Sequence, residues 1–204
     1  MKDRVGIFGG SFNPIHWGHI RPVLSALKHF NLSYVIYLPA SKPPHKNEIK
    51  LEDPYHRMAM LSIALEPYKN FKISTYDLLN KGSKTFNSLI YFKKTLKEEI
   101  YFILGSDSLL DLKNWYNAEG IVEITKMIVL TRPEFELNKI EKHLPKFILE
   151  KMNFSIFTFP HPSFSISGTY IRENIKNKLK IEKFLPKKVL NYIIKNNLYE
   201  EENY

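Results

Sequence analysis

Short runs rich in β-branched and aromatic residues alternate along the chain with stretches of helical periodicity, and this alternation restricts the fold more than any other feature of the sequence. The runs cover residues 5–8, 34–38, 71–75, 100–104, 127–130 and 154–159. The candidate helices cover residues 18–30, 54–65, 85–96, 106–112 and 138–151. Strands that alternate with helices predict an α/β fold with a doubly wound, mainly parallel sheet and helices on both of its faces.

The C-terminal part of the chain continues as helix, over residues 167–176 and 186–197. The sequence has 204 residues and no repeat or linker-like change of composition. It therefore predicts a single domain over residues 1–204 whose C-terminal part, about residues 167–199, is helical. Because ligands of such sheets bind beyond the carboxyl ends of the strands, the functional residues are expected in the loops that follow the strands.

The segment that follows the first strand has the composition of a phosphate-binding turn. Gly9 and Gly10 have no Cβ, so the backbone can turn sharply and a polyanion can approach the N–H groups of Gly10 and Ser11. A helix that begins near His16 directs further free N–H groups and the positive end of its dipole into the same space. Since glycine ends many strands, the turn by itself is equally compatible with a structural role.

Two histidines follow the turn at a spacing of three residues. On a helix this spacing places His16 and His19 on one face, so their ring N–H groups converge where the backbone already favours negative charge. Gly18 between them leaves room for a ligand close to the chain. The His-x-Gly-His element resembles the nucleotidyltransferase superfamily, whose members join a nucleoside monophosphate to a phosphate and release pyrophosphate.

A second element, close to the C-terminal end, resembles another signature of this superfamily. Ser167 is a good N-cap residue, and Gly168, Thr169 and Arg172 then fall in the first turn or so of a helix. In the superfamily, hydroxyl groups, a helix N-terminus and an arginine hold the distal phosphates of ATP at this place. The resemblance implies that role for Ser167, Thr169 and Arg172, and Gly168 departs from the usual serine.

Further segments resemble one branch of the superfamily, the bacterial nicotinate-mononucleotide adenylyltransferases. They are the loop Pro43-Pro44-His45-Lys46, the helix start over residues 54–58, the segment 82–89 with Thr85, the element Gly105-Ser106-Asp107 with Trp115, and Thr131-Arg132-Pro133. The resemblance covers essentially the whole chain. It implies a Rossmann-like fold and a reaction in which the phosphate of nicotinate mononucleotide attacks ATP directly in line, giving nicotinate adenine dinucleotide and pyrophosphate without a covalent intermediate.

The resemblance also implies which residues form the site. The implied catalytic residues are His16, His19, Lys46 and Arg172. The implied ATP-binding residues are Gly9, Gly10, Ser11, Phe12, His16, His19, Gly105, Asp107, Ser167, Thr169 and Arg172. The implied mononucleotide-binding residues are Asn13, Lys46, Thr85, Trp115 and Arg132. The expected cofactor is Mg²⁺, bound mainly through the phosphates of ATP and with no assigned protein ligand.

Composition agrees with these expectations. Lysine and arginine exceed aspartate and glutamate by nine residues, which suits anionic ligands, and the chain has no cysteine, which agrees with a reducing cytoplasm. No apolar run approaches the length of a membrane span, and the first is too short for a signal peptide. The expected partners are ATP and nicotinate mononucleotide, without nucleic acid or membrane, and a homo-oligomer is left open.

Two kinds of alternative stay open at the level of sequence. An adenylyltransferase of this type can use nicotinamide mononucleotide or pantetheine phosphate instead, although the pantetheine branch usually has threonine where this chain has His16. A basic nucleic-acid-binding module is the alternative from another class. Against it, the lysines are scattered rather than clustered, and the chain has no helix-turn-helix signal.

Overall fold

The computed structural model describes residues 3–41, 51–131, 141–152, 155–160 and 166–200. Six strands of these residues form one sheet: β1 Arg4–Gly10, β2 Tyr34–Pro39, β3 Phe71–Ile73, β4 Glu99–Gly105, β5 Lys126–Thr131 and β6 Ile156–Pro160. Their order across the sheet is β3-β2-β1-β4-β5-β6, and each neighbouring pair is parallel. The predicted α/β fold with a parallel, doubly wound sheet is confirmed.

Helices cover both faces of this sheet. The α-helices of the described residues are α1 Trp17–His29, α2 Pro54–Leu65, α3 Tyr76–Leu79, α4 Thr85–Thr95, α5 Ser106–Asp111, α6 Ala118–Ile124, α7 Lys146–Leu149, α8 Gly168–Glu173, α9 Lys178–Ile181 and α10 Lys187–Lys195. Short 3-10 turns occupy Leu112–Asn114, Glu141–His143 and Glu182–Phe184. None of the helices in the described ranges has the length and apolarity that crossing a bilayer requires.

The sheet lies between two apolar cores, which explains why its central strands are apolar throughout. Along β1, Val5 and Ile7 belong to the core beneath α4, α5 and α6, whereas Phe8 belongs to the core beneath α1, α2 and α10. A parallel strand that is buried on both faces has no polar face to expose. Its sequence is therefore a continuous apolar run rather than an alternating one.

The strand order creates a crevice at one edge of the sheet. From β1 the chain builds outward through β2 to β3, and it then returns to the other side of β1 with β4 and continues to β6. The connections that leave the carboxyl ends of β1 and β4 therefore run in opposite directions. Such a switch point opens a crevice between two neighbouring strands, and ligands of open α/β sheets bind there.

The structure corrects several predicted helices. The predicted helix 138–151 is interrupted at Pro145, whose extended backbone (φ −66°, ψ 155°) precedes α7; residues 138–140 lie outside the described part of the chain. Because proline has no N–H and fixes φ, it is unfavourable inside a helix, and the extended backbone of Pro145 means that α7 begins only at the residue after it. The predicted helix 167–176 ends earlier, at Glu173, while α3, α6 and α9 have no counterpart in the prediction.

Opposite the crevice, charged side chains at the amino ends of three neighbouring strands form a cluster. Glu99 accepts hydrogen bonds from Lys126 Nζ at 2.9 Å and from the Tyr101 hydroxyl at 3.3 Å, and Arg4 Nε lies 3.8 Å from its carboxylate. The hydrogen bond from Lys126 is the main cause that lowers the pKa of Glu99. The ionised Glu99 carboxylate therefore contributes to stability above the ordinary glutamate pKa, and this contribution is lost as the pH falls through the lowered pKa of Glu99.

We expect Glu99→Gln to lower the free energy of unfolding at pH 7 by less than about 1 kcal/mol, because the carboxylate is partly exposed and screened by solvent. The difference from the wild type is expected to be smaller at pH 3 than at pH 7, since the Glu99 carboxylate loses its charge as the pH falls toward its lowered pKa. Urea unfolding at the two pH values measures this, with Glu119→Gln on the exposed side of α6 as a control. A difference that stays constant down to pH 3 would contradict the assignment to the ionised carboxylate.

Candidate active site

A cavity of about 630 Å³ occupies the crevice between the carboxyl ends of β1 and β4, a volume typical of ligand pockets. The loop after β1, the start of α1, the start of α5 and the start of α8 meet there. The structure brings together these residues of the predicted site: Gly9, Gly10, Ser11, Asn13, His16, His19, Gly105, Asp107, Ser167, Thr169 and Arg172. Asn13 and Arg172, which are 159 residues apart in sequence, thus lie on one concave surface.

The turn after β1 is anchored by an aromatic side chain that is not part of the cavity lining. Phe12 has a left-handed backbone (φ 45°) and is fully buried. Its ring packs against Phe8, His19 and Tyr37, with ring centroids 5.6, 5.3 and 5.6 Å away. Phe12 is therefore a core residue of the turn, and its side chain does not line the cavity that the predicted ATP site occupies.

The two histidines lie side by side at the start of α1. Their rings stack with centroids 3.7 Å apart and an interplanar angle of 23°, and His19 N–H donates to the His16 carbonyl at 2.8 Å. His16 is the N-cap residue with an extended backbone, so it precedes the helix on which the sequence analysis placed it. A Cβ on Gly18 would lie 3.0 Å from the His16 ring, which explains the glycine between them.

A buried tyrosine supports this helix start from below. The Tyr37 hydroxyl, at the sheet, donates to the His19 carbonyl at 3.1 Å. Burial raises the pKa of Tyr37 well above its ordinary value, so the hydroxyl keeps its proton and remains a donor at neutral pH. The position of the His19 backbone is thus held from the core.

Arg172 approaches the cavity from α8. Ser167 caps this helix, because its Oγ accepts a hydrogen bond from the Tyr170 N–H at 3.1 Å, and the predicted N-cap is confirmed. The Arg172 side chain is buried, with Nη1 donating to the Asn13 carbonyl at 2.8 Å and Nη2 donating to Thr169 Oγ1 at 3.3 Å. The guanidinium therefore links the C-terminal helix to the turn after β1.

Asn13 is buried behind the turn and is held by hydrogen bonds of the protein itself. Its side-chain oxygen accepts from the Tyr199 hydroxyl at 3.0 Å and from the Glu52 N–H at 3.1 Å. Only 3% of the residue is exposed, although it borders the cavity. Asn13 therefore connects three distant segments of the chain.

The predicted ATP-binding residue Asp107 and the predicted mononucleotide-binding residues Thr85 and Trp115 lie on three separate elements: α5, α4 and the end of the 3-10 turn Leu112–Asn114. Asp107 lines the cavity from the first turn of α5. Trp115 packs edge-on against Phe102, with centroids 6.3 Å apart, and its indole N–H donates to Asp111 at 3.0 Å.

Thr85 begins α4. Thr85 and Trp115 are outside the set of described residues that line the cavity, and Lys46 and Arg132 lie outside the described residues.

The sequence analysis assigned no role to Arg57, which is fully buried in α2 beside the site. Its Nη1 donates to the carbonyls of Ser11 and Ala40 at 2.8 Å each, and its Nε donates to the Glu52 carbonyl at 3.0 Å. Burial lowers the pKa of the guanidinium, which nevertheless remains protonated at neutral pH. The sequence contains a signal for this residue, because Arg57 shares the apolar face of α2 with residues 60, 61 and 64.

Two charged residues of the described part of the chain border the cavity without having been predicted. Arg21 extends from α1, with its guanidinium 4.8 Å from the centre of the Trp17 ring, and adds positive charge at the rim. Asp111 borders it from α5. As for metals, no group of three or more histidine, aspartate or glutamate side chains converges within the ranges that the structure describes.

Comparison with known proteins agrees with this architecture. Residues 7–174 match the model of the family described as cytidylyltransferase-like. This match, together with the parallel sheet and the histidine pair at its switch point, defines the class: the chain is a nucleotidyltransferase.

Curated relatives specify the class further. A probable nicotinate-nucleotide adenylyltransferase of Clostridium perfringens strain SM101 is 38% identical over 201 residues, and one of Clostridium botulinum strain Eklund 17B is 37% identical over 200 residues. Each alignment covers 98% of this chain and 99% of the relative. The chain belongs to the nicotinate-nucleotide adenylyltransferase family.

Solved structures have the same fold. The nicotinic acid mononucleotide adenylyltransferase of Plasmodium falciparum complexed with NaAD matches with a TM-score of 0.77 and 25% identity, over 97% of this chain and 98% of that one. The same enzyme complexed with APC matches with a TM-score of 0.76 at 24% identity, over the same shares of the two chains.

Proposed function

We propose that this chain transfers the adenylyl group of ATP to nicotinate mononucleotide, giving nicotinate adenine dinucleotide and pyrophosphate, a step of NAD biosynthesis that we assign to the cytoplasm. The observation that carries the proposal is the convergence of the turn after β1, the histidine pair and Arg172 on one cavity. The choice of substrates rests on the names of relatives that align over nearly their whole length, and on the NaAD complex of the Plasmodium falciparum enzyme.

In this reaction the enzyme has to bind two anions together and to stabilise the charge that develops on the α-phosphate and on the departing pyrophosphate. We assign the α-phosphate to the N–H groups of Gly10 and Ser11 and to the ring N–H groups of His16 and His19. Arg172 would hold the leaving pyrophosphate from α8. These donors are preorganised, because the backbone carbonyls of His19 and Asn13 are already bonded to Tyr37 and Arg172 respectively.

The attacking phosphate requires no general base, since a phosphate monoester is largely dianionic at pH 7. The site therefore acts by positioning and electrostatics, because the phosphate of nicotinate mononucleotide has to be held in line with the α-phosphate of ATP. Lys46 is the cation that we propose for the incoming phosphate, and Asp107 and Trp115 are proposed for the ribose and base ends of the substrates. These assignments follow the family resemblance.

We propose that Mg²⁺ would be held mainly by the phosphates of ATP, where it would supply positive charge that offsets part of theirs. An ion that keeps most of its water ligands needs few protein ligands, and Asp107 and Asp111 are the carboxylates that line the cavity within the described residues. Removal of Mg²⁺ by a chelator is accordingly expected to abolish turnover.

The experiment that tests the function is pyrophosphate release by the purified protein with Mg²⁺ and ATP, supplied with nicotinate or nicotinamide mononucleotide at equal concentrations. We expect release with the acid at a rate at least about tenfold above the amide, because a site that pairs with a carboxylate loses that interaction with the amide. Equal rates with the two mononucleotides would contradict the assignment of nicotinate mononucleotide as the substrate. If pyrophosphate were released only when pantetheine phosphate is supplied instead, pantetheine phosphate would be the substrate. Substitution of CTP for ATP tests the choice of nucleotide.

A further inference from the structure

The C-terminal segment reaches the back of the candidate active site through one side chain. Tyr199 is buried, and its hydroxyl donates to the side-chain oxygen of Asn13 at 3.0 Å, across 186 residues of sequence. Its backbone has φ 65°, in the left-handed region that residues other than glycine seldom adopt. Leu198, which precedes it, is buried and donates its N–H to the Ile193 carbonyl at 3.1 Å. The surroundings therefore hold Tyr199 in a conformation that a free chain would leave.

The side-chain oxygen of Asn13 has a second hydrogen-bond donor besides Tyr199. The Glu52 N–H donates to the same side-chain oxygen at 3.1 Å, so the amide group is fixed from two directions. The Asn13 backbone carbonyl, in turn, accepts from Arg172 Nη1 at 2.8 Å. A Cβ on Gly168 would lie 3.0 Å from this carbonyl oxygen, which means that α8 packs directly on it. A rotation of the Asn13 peptide would thus displace Arg172 and the start of α8 together.

We propose that Tyr199 is a positioning residue of the phosphate site. Through its hydrogen bond to Asn13 it fixes the peptide that orients Arg172 toward the anion, without touching the substrate itself. The inference rests on the proposed function in so far as Arg172 binds the pyrophosphate end of ATP. It assigns to the C-terminal segment a part in anion binding, in addition to its packing against α2.

Tyr199→Phe tests this cleanly, because phenylalanine keeps the ring and removes only the hydroxyl. The matched control is Tyr192→Phe in α10, which removes a hydroxyl that pairs with His56 Nδ1 at 2.9 Å and lies outside the cavity lining. We expect Tyr199→Phe to weaken the binding of inorganic pyrophosphate, measured by titration calorimetry, roughly tenfold and to lower kcat by a similar factor. Tyr192→Phe is expected to stay within about twofold of the wild type.

A double-mutant cycle separates positioning from general stability. In an Arg172→Ala background, Tyr199→Phe is expected to change pyrophosphate affinity by less than about twofold, since the group that it positions is gone. An undiminished tenfold loss in that background would overturn the inference, and so would wild-type affinity of the single variant. If the wild type bound pyrophosphate but used neither mononucleotide, the proposed function would be refuted. The pyrophosphate affinities of the variants would then still decide whether Tyr199 positions Arg172. No pyrophosphate binding by the wild type would refute the inference.

Discussion

Replacement of His19 by alanine is expected to lower kcat for pyrophosphate release at least about a hundredfold while the protein stays folded. The ring lies at the start of α1, stacked on His16 at 3.7 Å and aimed at the space that the glycine turn borders. Removal of one preorganised donor from a site that stabilises developing charge typically costs a factor of this order. The measurement is steady-state turnover with ATP, Mg²⁺ and nicotinate mononucleotide.

The control has to separate lost chemistry from lost packing, because the His19 ring also contacts Phe12 at 5.3 Å between centroids. His29→Ala makes the same change at the other end of α1, where the side chain is exposed, and is expected to keep wild-type turnover. Circular dichroism and thermal unfolding check that both variants fold. Near-normal turnover in a folded His19→Ala protein would contradict the proposed role of this histidine.

Arg57→Met is expected to have the largest effect on stability, a loss of about 3 kcal/mol in the free energy of unfolding. The guanidinium supplies donors to the backbone carbonyls of Ser11, Ala40 and Glu52, and each buried acceptor that loses its partner costs about 1–3 kcal/mol. The apolar packing of methionine offsets a part of this loss. Urea unfolding followed by circular dichroism measures the difference.

Arg4→Met provides the comparison, because Arg4 donates to a single backbone carbonyl, that of Phe30 at 3.1 Å, and is partly exposed. We expect it to cost less than about 1 kcal/mol. If Arg57→Met proved no more destabilising than Arg4→Met, the three carbonyls would have found other donors and the role of Arg57 would be refuted. A lysine at position 57 should recover only part of the stability, because an ammonium cannot reproduce the planar fork of donors.

Much of the fold was predictable because local pattern is sufficient for it. The apolar runs located all six strands, and the predicted helix 54–65 has the observed bounds of α2, which Asp53 caps and Pro54 begins. The errors arose where the helical signal is short or weak: α3 and α9 have four residues each, and α6 contains a glycine. Pro145 interrupts a predicted helix despite the apolar periodicity around it, because its backbone is extended rather than helical.

The chemical groups of the site can be read from the sequence, since the glycine pair, the two histidines and the capped segment with Arg172 are all local patterns. How these groups meet depends on tertiary structure. The strand order with its reversal between β1 and β4 placed two distant loops on one crevice, and the contacts of Arg57 and Tyr199 depend on that arrangement. The physical reason is the distance along the sequence over which residues interact. Helix and strand periodicity reflects neighbours a few residues apart, whereas Tyr199 and Asn13 are 186 residues apart and meet only when the whole sheet has formed.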